Sequence, residues 1–178
     1  QRLVSLINDI LGLSQLDEGA AMPRESVSLL SLAQEAAASL SAAAQAQNVT
    51  LTVHGTEGTL TGVRRLLSET VHKLCENAVK YNVPGGSVTV TVAETPQAVT
   101  LTVADTGIGI PGDSIKKIWE RFYKTDLSRG KDKKGTGLGL AIVKEIIQAH
   151  NEHINVISTE GVGTEFIFTL PLSQKEVQ

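Results

Sequence analysis

The sequence predicts an α/β protein, and three observations carry that expectation. Residues 30–47 and 63–82 hold long helical patterns, the first rich in alanine and leucine without glycine or proline. Val88, Val90 and Val92 alternate with small polar residues, as do Val99, Leu101 and Val103, which is the period of strands with one buried face. A third helical pattern over 140–150 leads into two more alternating stretches, 154–158 and 165–170.

The chain has 178 residues, 41% of them hydrophobic, which suits one sizeable domain with an appendage. Only 3% are aromatic, so Val, Leu and Ile must fill the core. A net charge of −3 with interspersed signs argues against a general nucleic-acid or membrane-surface binder, which needs a broad basic face. The single cysteine, Cys75, falls in an apolar helical pattern and reads as a buried thiol of a reducing compartment. No apolar run approaches a bilayer span, and the first residues lack a signal-peptide layout, so the expectation is a soluble chain.

In order, Leu3, Leu6, Ile10 and Leu13 recur at helical steps, widened by Ile7, and make residues 1–19 a bundle seam that needs a partner helix. Met22-Pro23 ends it. Val27-Ser28-Leu29 is brief enough for an edge strand, and 48–53 alternates as a strand closed by a turn region from Gly55 to Gly62. In the helix over 63–82, Leu67, Val71, Leu74 and Ala78 form the buried stripe, with Asn77 and Tyr81 one turn apart beside it and Lys80 adjoining. An asparagine there either faces water or has a partner for its amide.

Pro84-Gly85-Gly86 is a turn, and the two Val-rich strands that follow form a hairpin across Thr95-Pro96-Gln97. Parity places Asp105 on the face of Val99, Leu101 and Val103, so its carboxylate points to the buried side at a strand end. It needs donors, from its own loop or from a ligand. The chain leaves that strand through Gly107-Ile108-Gly109-Ile110-Pro111, a glycine-permitted bend.

Residues 115–124 hold half of the aromatics, Trp119, Phe122 and Tyr123, and anchor the start of the next loop. That loop, 125–134, is polar and cannot bury itself, which reads as a mobile lid carrying cations. It runs into Gly135-Thr136-Gly137-Leu138-Gly139 at the start of a helix, where unpaired amides and a positive dipole end suit a phosphate chain as well as a plain turn.

Together these stretches resemble bacterial sensor histidine kinases of two-component systems. Glu76-Asn77-Ala78-Val79-Lys80-Tyr81 is similar to their asparagine box, Asp105-Thr106-Gly107-Ile108-Gly109-Ile110 to the first glycine box, and Trp119-Glu120-Arg121-Phe122-Tyr123 to the phenylalanine box. Gly135 to Lys144 is similar to the second glycine box, and Gly161-Val162-Gly163-Thr164-Glu165-Phe166 to the last glycine-threonine element. All five stand in the family's order. The match runs from about Ser28 to Leu172, and 6–19 resembles the end of the second dimerisation helix.

The resemblance implies a two-layer α/β sandwich with a mixed, mainly antiparallel sheet, the Bergerat ATP-binding fold, preceded by a helical stub. It divides the chain into 1–20, the end of the dimerisation helix, 21–172, the catalytic ATP-binding domain, and 173–178, a tail. It implies that Asp105 accepts from the adenine amino group, with Thr164 on the same edge, and that Asn77 offers its side-chain oxygen to Mg²⁺. Lys80 would offset phosphate charge, Tyr81 would line the pocket, and the amides of Gly137, Leu138 and Gly139 would cradle phosphates. Gly107 and Gly109 would give room for the base and a hinge for the lid, and Ile110, Gly135 and Thr136 complete the expected pocket. Arg129 is the candidate lid cation, with Lys133 as a substitute, so that Asn77, Lys80 and Arg129 are the expected catalytic residues.

The implied reaction transfers the ATP γ-phosphoryl group to a histidine on a dimerisation helix of the same or the partner protomer, for relay to a response regulator. The implied setting is a homodimeric, membrane-anchored parent whose cytoplasmic part includes this domain. Lys73 departs from the family, which usually has a second asparagine or polar equivalent there, and Asn151-Glu152 replaces a frequent glycine pair. Another ATPase of the same superfamily, gyrase-like or chaperone-like, and a degenerate nucleotide-binding docking module are the alternatives. His54, His72, His150 and His153 do not match the phosphoacceptor context, and His150 reads as structural. The isolated chain is therefore expected to bind ATP without labelling itself; incubation with γ-labelled ATP and peptide mapping checks this, and label on His72 would contradict it.

Overall fold

The computed structural model describes residues 23–121, 123 and 139–172. The helix expected over 1–19, the tail from Ser173 and the expected site residues Arg129, Lys133, Gly135, Thr136, Gly137 and Leu138 lie outside the described residues. Chain order is β1 (Glu25–Ser28), α1 (Leu29–Ala46), β2 (Thr50–Gly55), β3 (Thr59–Gly62), α2 (Arg64–Lys80), β4 (Ser87–Glu94), β5 (Ala98–Asp105), α3 (Gly139–Ala149), β6 (Ile154–Thr159) and β7 (Gly163–Pro171).

Five strands form one sheet in the order β2-β4-β5-β7-β6. β2 pairs with β4 in parallel, and every other pair in that sheet is antiparallel. The expected mixed, mainly antiparallel sheet is thus present. Within the region read as a turn, residues 59–62 form β3, which pairs antiparallel with β1 in a separate two-stranded sheet. Its four residues are too few for an alternation to register in the sequence.

One face of the large sheet is apolar. Val88, Val90, Val92, Val99, Leu101, Val103, Phe166, Phe168 and Leu170 are all buried on it. The core they share includes Leu32, Ala33, Ala36 and Leu40 of α1, Leu67, Val71 and Leu74 of α2, and Val143 and Ile147 of α3. The opposite positions of β4, β5 and β7 hold half-buried threonines, and Thr100 and Thr169 meet across the strands at 2.9 Å. Threonine suits such a face because its β-branch favours extended backbone and its hydroxyl stays hydrated or pairs.

The helix ends are closed by short-range chemistry. Ser28 caps α1 by accepting from the Ser31 amide at 3.2 Å. Both α1 and α3 end on an asparagine at positive φ, Asn48 at 58° and Asn151 at 64°, followed by an amide reaching back five residues, Val49 to Ala44 and Glu152 to Ile147. Asparagine tolerates this left-handed turn better than most residues. That is why Asn151 serves where a glycine was expected.

His150 joins α3 to α2. Its ring is buried; Nδ1 lies 2.9 Å from the Ile146 carbonyl oxygen, and Nε2 accepts from the Val63 amide at 3.2 Å. These partners assign the neutral tautomer protonated on Nδ1. Burial lowers its pKa, and the Arg24 guanidinium adds to the effect against the opposing Ile146 bond. The structural reading of this histidine holds.

Thr70 of α2 is fully buried, and its Oγ1 has no hydrogen-bond partner among the described residues. Replacing it with the isosteric valine removes an unpaired hydroxyl from an apolar layer. Thr70→Val is expected to stabilise the chain by about 1 kcal/mol in urea denaturation, with an unchanged m-value.

Candidate functional site

The apolar sheet face changes character at one end. Across β4, β5, β7 and β6 the register gives Val90, Val103, Phe166 and Val156, then one step further Val88, Asp105, Thr164 and Ser158. The rows through Val103 and Leu101 are apolar across these strands, and the far edge of the face closes on an exposed Glu94 beside Val99 and Leu170. The Asp105 row instead holds a carboxylate and two hydroxyls, at the end of the sheet where α2 stops.

Asp105 is half-buried, and its Oδ1 accepts from the Gly107 amide at 2.8 Å and the Thr164 amide at 3.2 Å. Both bonds fall on one oxygen; among the described residues, none goes to Oδ2. The two possibilities left by the sequence, loop contact and ligand contact, are therefore compatible. Burial pushes the carboxyl up from 3.8 to about 6, against the lowering by the Gly107 and Thr164 amides.

The glycine bend is fastened on both sides. The Ile108 amide donates to the Tyr81 carbonyl at 3.0 Å, and the Ile108 carbonyl accepts from Gly161 at 2.8 Å. The Ile110 amide donates to Ser158 Oγ at 2.8 Å. A Cβ at Gly107 would strike the Tyr81 carbonyl oxygen, and one at Gly109, where φ is 73°, would strike the Thr159 carbonyl oxygen. These glycines serve backbone packing, and the space they leave is filled by the protein's own main chain.

Asn77 lies one helical turn before Tyr81 on α2, half-buried, and its carboxamide has no hydrogen-bond partner among the described residues. Lys80, in the last turn of α2, holds its ammonium 6.0 Å from the Tyr81 ring centroid. Lys73 pairs with Glu69 at 3.8 Å, and its side chain is only 17% exposed. Glu69, Lys73, Asn77 and Tyr81 thus form one i, i+4 column, with a cation one turn from the amide.

Aromatic packing braces the far side. Trp119 meets Phe166 edge-on with centroids 5.8 Å apart, and Phe166 is the next inward residue after Thr164 on β7. Tyr123 donates to Ser114 at 2.9 Å, and Arg121 pairs with Glu145 of α3 at 3.0 Å. Trp119 and Tyr123 are thus packed within turns, whereas Phe122 and the expected lid, 125–134, lie outside the described residues. Gly139 begins α3, and a Cβ there would meet open space.

Two residues escaped the sequence reading. Ser158 could have been found by the same parity as Asp105, since it continues the inward face of Ile154 and Val156. Asn82, 1% exposed, donates from Nδ2 to the Ser87 carbonyl at 3.0 Å and accepts the Val83 amide at 2.8 Å, tying the end of α2 to β4. No local signal marks it beyond its place before Pro84-Gly85-Gly86.

A half-buried carboxylate with a spare oxygen, and a half-buried carboxamide on α2 without a partner among the described residues, suit a polar ligand. The family model described as "Histidine kinase-, DNA gyrase B-, and HSP90-like ATPase" matches residues 62–174. The chain belongs to this family. The sensor histidine kinase TcrY (probable) of Mycobacterium tuberculosis is 36% identical over 97% of this chain and 36% of its own length. The histidine kinase BaeS of Escherichia coli is 33% identical over 98% of this chain and 38% of its own. Full-length ShkA, solved in complex with AMPPNP, aligns with a TM-score of 0.81 at 28% identity, covering 98% of this chain and 37% of that one. The chain thus spans less than two fifths of these relatives' own length. No helix among the described residues is long and apolar enough to cross a membrane.

The raised pKa of Asp105 has a stability consequence. Its contribution is fully present below 3.8 and is lost as pH rises through about 6, because the fold then holds a charge away from water. Asp105→Asn keeps an acceptor for Gly107 and Thr164 without that charge. The ligand-free variant is expected to exceed the parent by on the order of 1–3 kcal/mol at pH 8, with the gap closing toward pH 4, in paired denaturation curves.

Proposed function

We propose that this domain binds Mg²⁺-ATP and delivers its γ-phosphoryl group to a histidine on a dimerisation helix of its own or the partner protomer. The observation that carries the reading is the polar row ending the apolar sheet face, with Asp105 Oδ2 left for a ligand. Asp105 accepts from the adenine amino group, and the Gly107 and Thr164 amides hold the carboxyl plane fixed for that contact. Tyr81 lines the pocket, while Thr164 and the main chain from Gly107 to Ile110 complete the base end.

The triphosphate end lies along α2 and the start of α3. Asn77 fits Mg²⁺: a half-buried carboxamide without another partner can give the one protein oxygen that this hard ion needs beside phosphate and water. When bound, the ion neutralises phosphate charge and orients the transferred group. Lys80 adds a positive charge from the end of α2, and Gly139 opens the helix whose first amides point outward. Arg129 and Lys133 are proposed as lid cations, and Gly135, Thr136, Gly137 and Leu138 as the phosphate-binding loop.

Phosphoryl transfer depends on positioning and charge stabilisation, so the domain's task is to hold ATP in line with an imidazole. The relay then passes to a response regulator, with a homodimeric, membrane-anchored parent as the setting.

Lys73 favours keeping a second reading, a nucleotide-dependent docking module with weakened chemistry. Its ammonium, one turn from Asn77, competes with a divalent cation for the same space. Calorimetric titration with Mg²⁺-ATP tests both. Asn77→Ala and Asp105→Asn are each expected to weaken binding at least tenfold, about the value of one charge-assisted contact. Lys73→Asn is expected to strengthen Mg²⁺-dependent binding; no change with either Asn77 or Asp105 replaced would remove the proposed site.

A further inference from the structure

We infer that Ser158 is a positioning residue that sets the purine selectivity of the site, by fixing which way the Thr164 hydroxyl points. The inference rests on the nucleotide reading above and adds a discriminating element to it.

Ser158 Oγ has one hydrogen to give and two lone pairs to receive. It accepts from the Ile110 amide at 2.8 Å. It lies 2.9 Å from the Gly163 carbonyl oxygen, which can only accept, so its single hydrogen goes there. The remaining contact, 2.8 Å to Thr164 Oγ1, is satisfied only if Thr164 is the donor. One arrangement satisfies all three bonds, and it commits the Thr164 hydrogen to Ser158.

A group approaching Thr164 Oγ1 from the ligand side therefore meets lone pairs only. Thr164 is 8% exposed and stands directly opposite Asp105 in the β5–β7 register, with its own amide on Asp105 Oδ1. The end of the row presents two neighbouring acceptors and no side-chain donor. Such a pair suits a base edge that carries an amino group and repels one that carries a carbonyl at the same position. Because burial keeps water from compensating an acceptor facing an acceptor, the discrimination is larger than on an exposed surface.

Ser158 also fastens the bend through Ile110. Losing its hydroxyl would therefore both loosen the bend and release the Thr164 hydrogen, which could then rotate outward and serve a carbonyl.

The test compares ATP with ITP, whose bases differ at C6, where a carbonyl replaces the amino group, and at N1, which gains a hydrogen, in titrations of the full chain. The parent is expected to favour ATP by tenfold or more, and Ser158→Ala to narrow that ratio at least fivefold, the loss of about one hydrogen-bond term. Ser158→Thr restores a hydroxyl and should keep the parent's ratio. Thr100→Val removes a comparable cross-strand hydroxyl contact on the opposite sheet face and should leave the ratio alone while lowering stability similarly. An unchanged ratio in Ser158→Ala, or an equal change in Thr100→Val, overturns the inference while leaving ATP binding standing. A parent chain that binds neither nucleotide overturns the nucleotide reading and this inference with it.

Discussion

A carboxylate at the edge of an apolar layer sets the terms for the rest of this domain. Asp105 extends the inward face of β5 past Val103, where dehydration raises its pKa to about 6. The fold tolerates this because two main-chain amides converge on Oδ1, one from the bend after β5 and one from the neighbouring strand β7. Those donors require the bend to lie tight against the end of α2 and the β6–β7 turn, which excludes side chains at Gly107 and Gly109. Glycines, helix end and hairpin turn are thus consequences of one charge placement.

The fold was legible where periodicity runs long enough. The α1 and α2 patterns, the β4–β5 hairpin and the terminal β6–β7 hairpin follow from burial alone, because helical and strand repeats differ in which residues they bring to one side. β3 was not legible, since four residues between turn signals carry no period and its pairing with β1 is a tertiary fact. For the site, strand parity alone located Asp105, and Asn77 stood out as a polar residue beside a buried stripe. Ser158 obeyed the same parity yet passed unnoticed. Its significance comes from three partners contributed by Ile110, Gly163 and Thr164, a convergence that no local pattern encodes.

Residues at which the sequence departs from the pattern expected of the family divide in the same way. Asn151 stands at a left-handed helix end, a conformation open to glycine and asparagine alike, so the exchange leaves the backbone path unchanged. Lys73 is of another kind. It alters the charge beside a carboxamide without altering helix geometry, and Glu69 takes up part of that charge. Backbone-driven exchanges can be judged from conformation alone, whereas this one depends on what occupies the space in front of α2.

Cys75 shows what the packed side of α2 implies for experiment. Its side chain has no exposure, and burial pushes the thiol up to about 12, so almost none of it is ionised at neutral pH. A thiol-specific reagent would react with it only after α2 separates from the sheet. The chain carries a single such group, so its modification rate is a built-in clock for the opening of the helical layer.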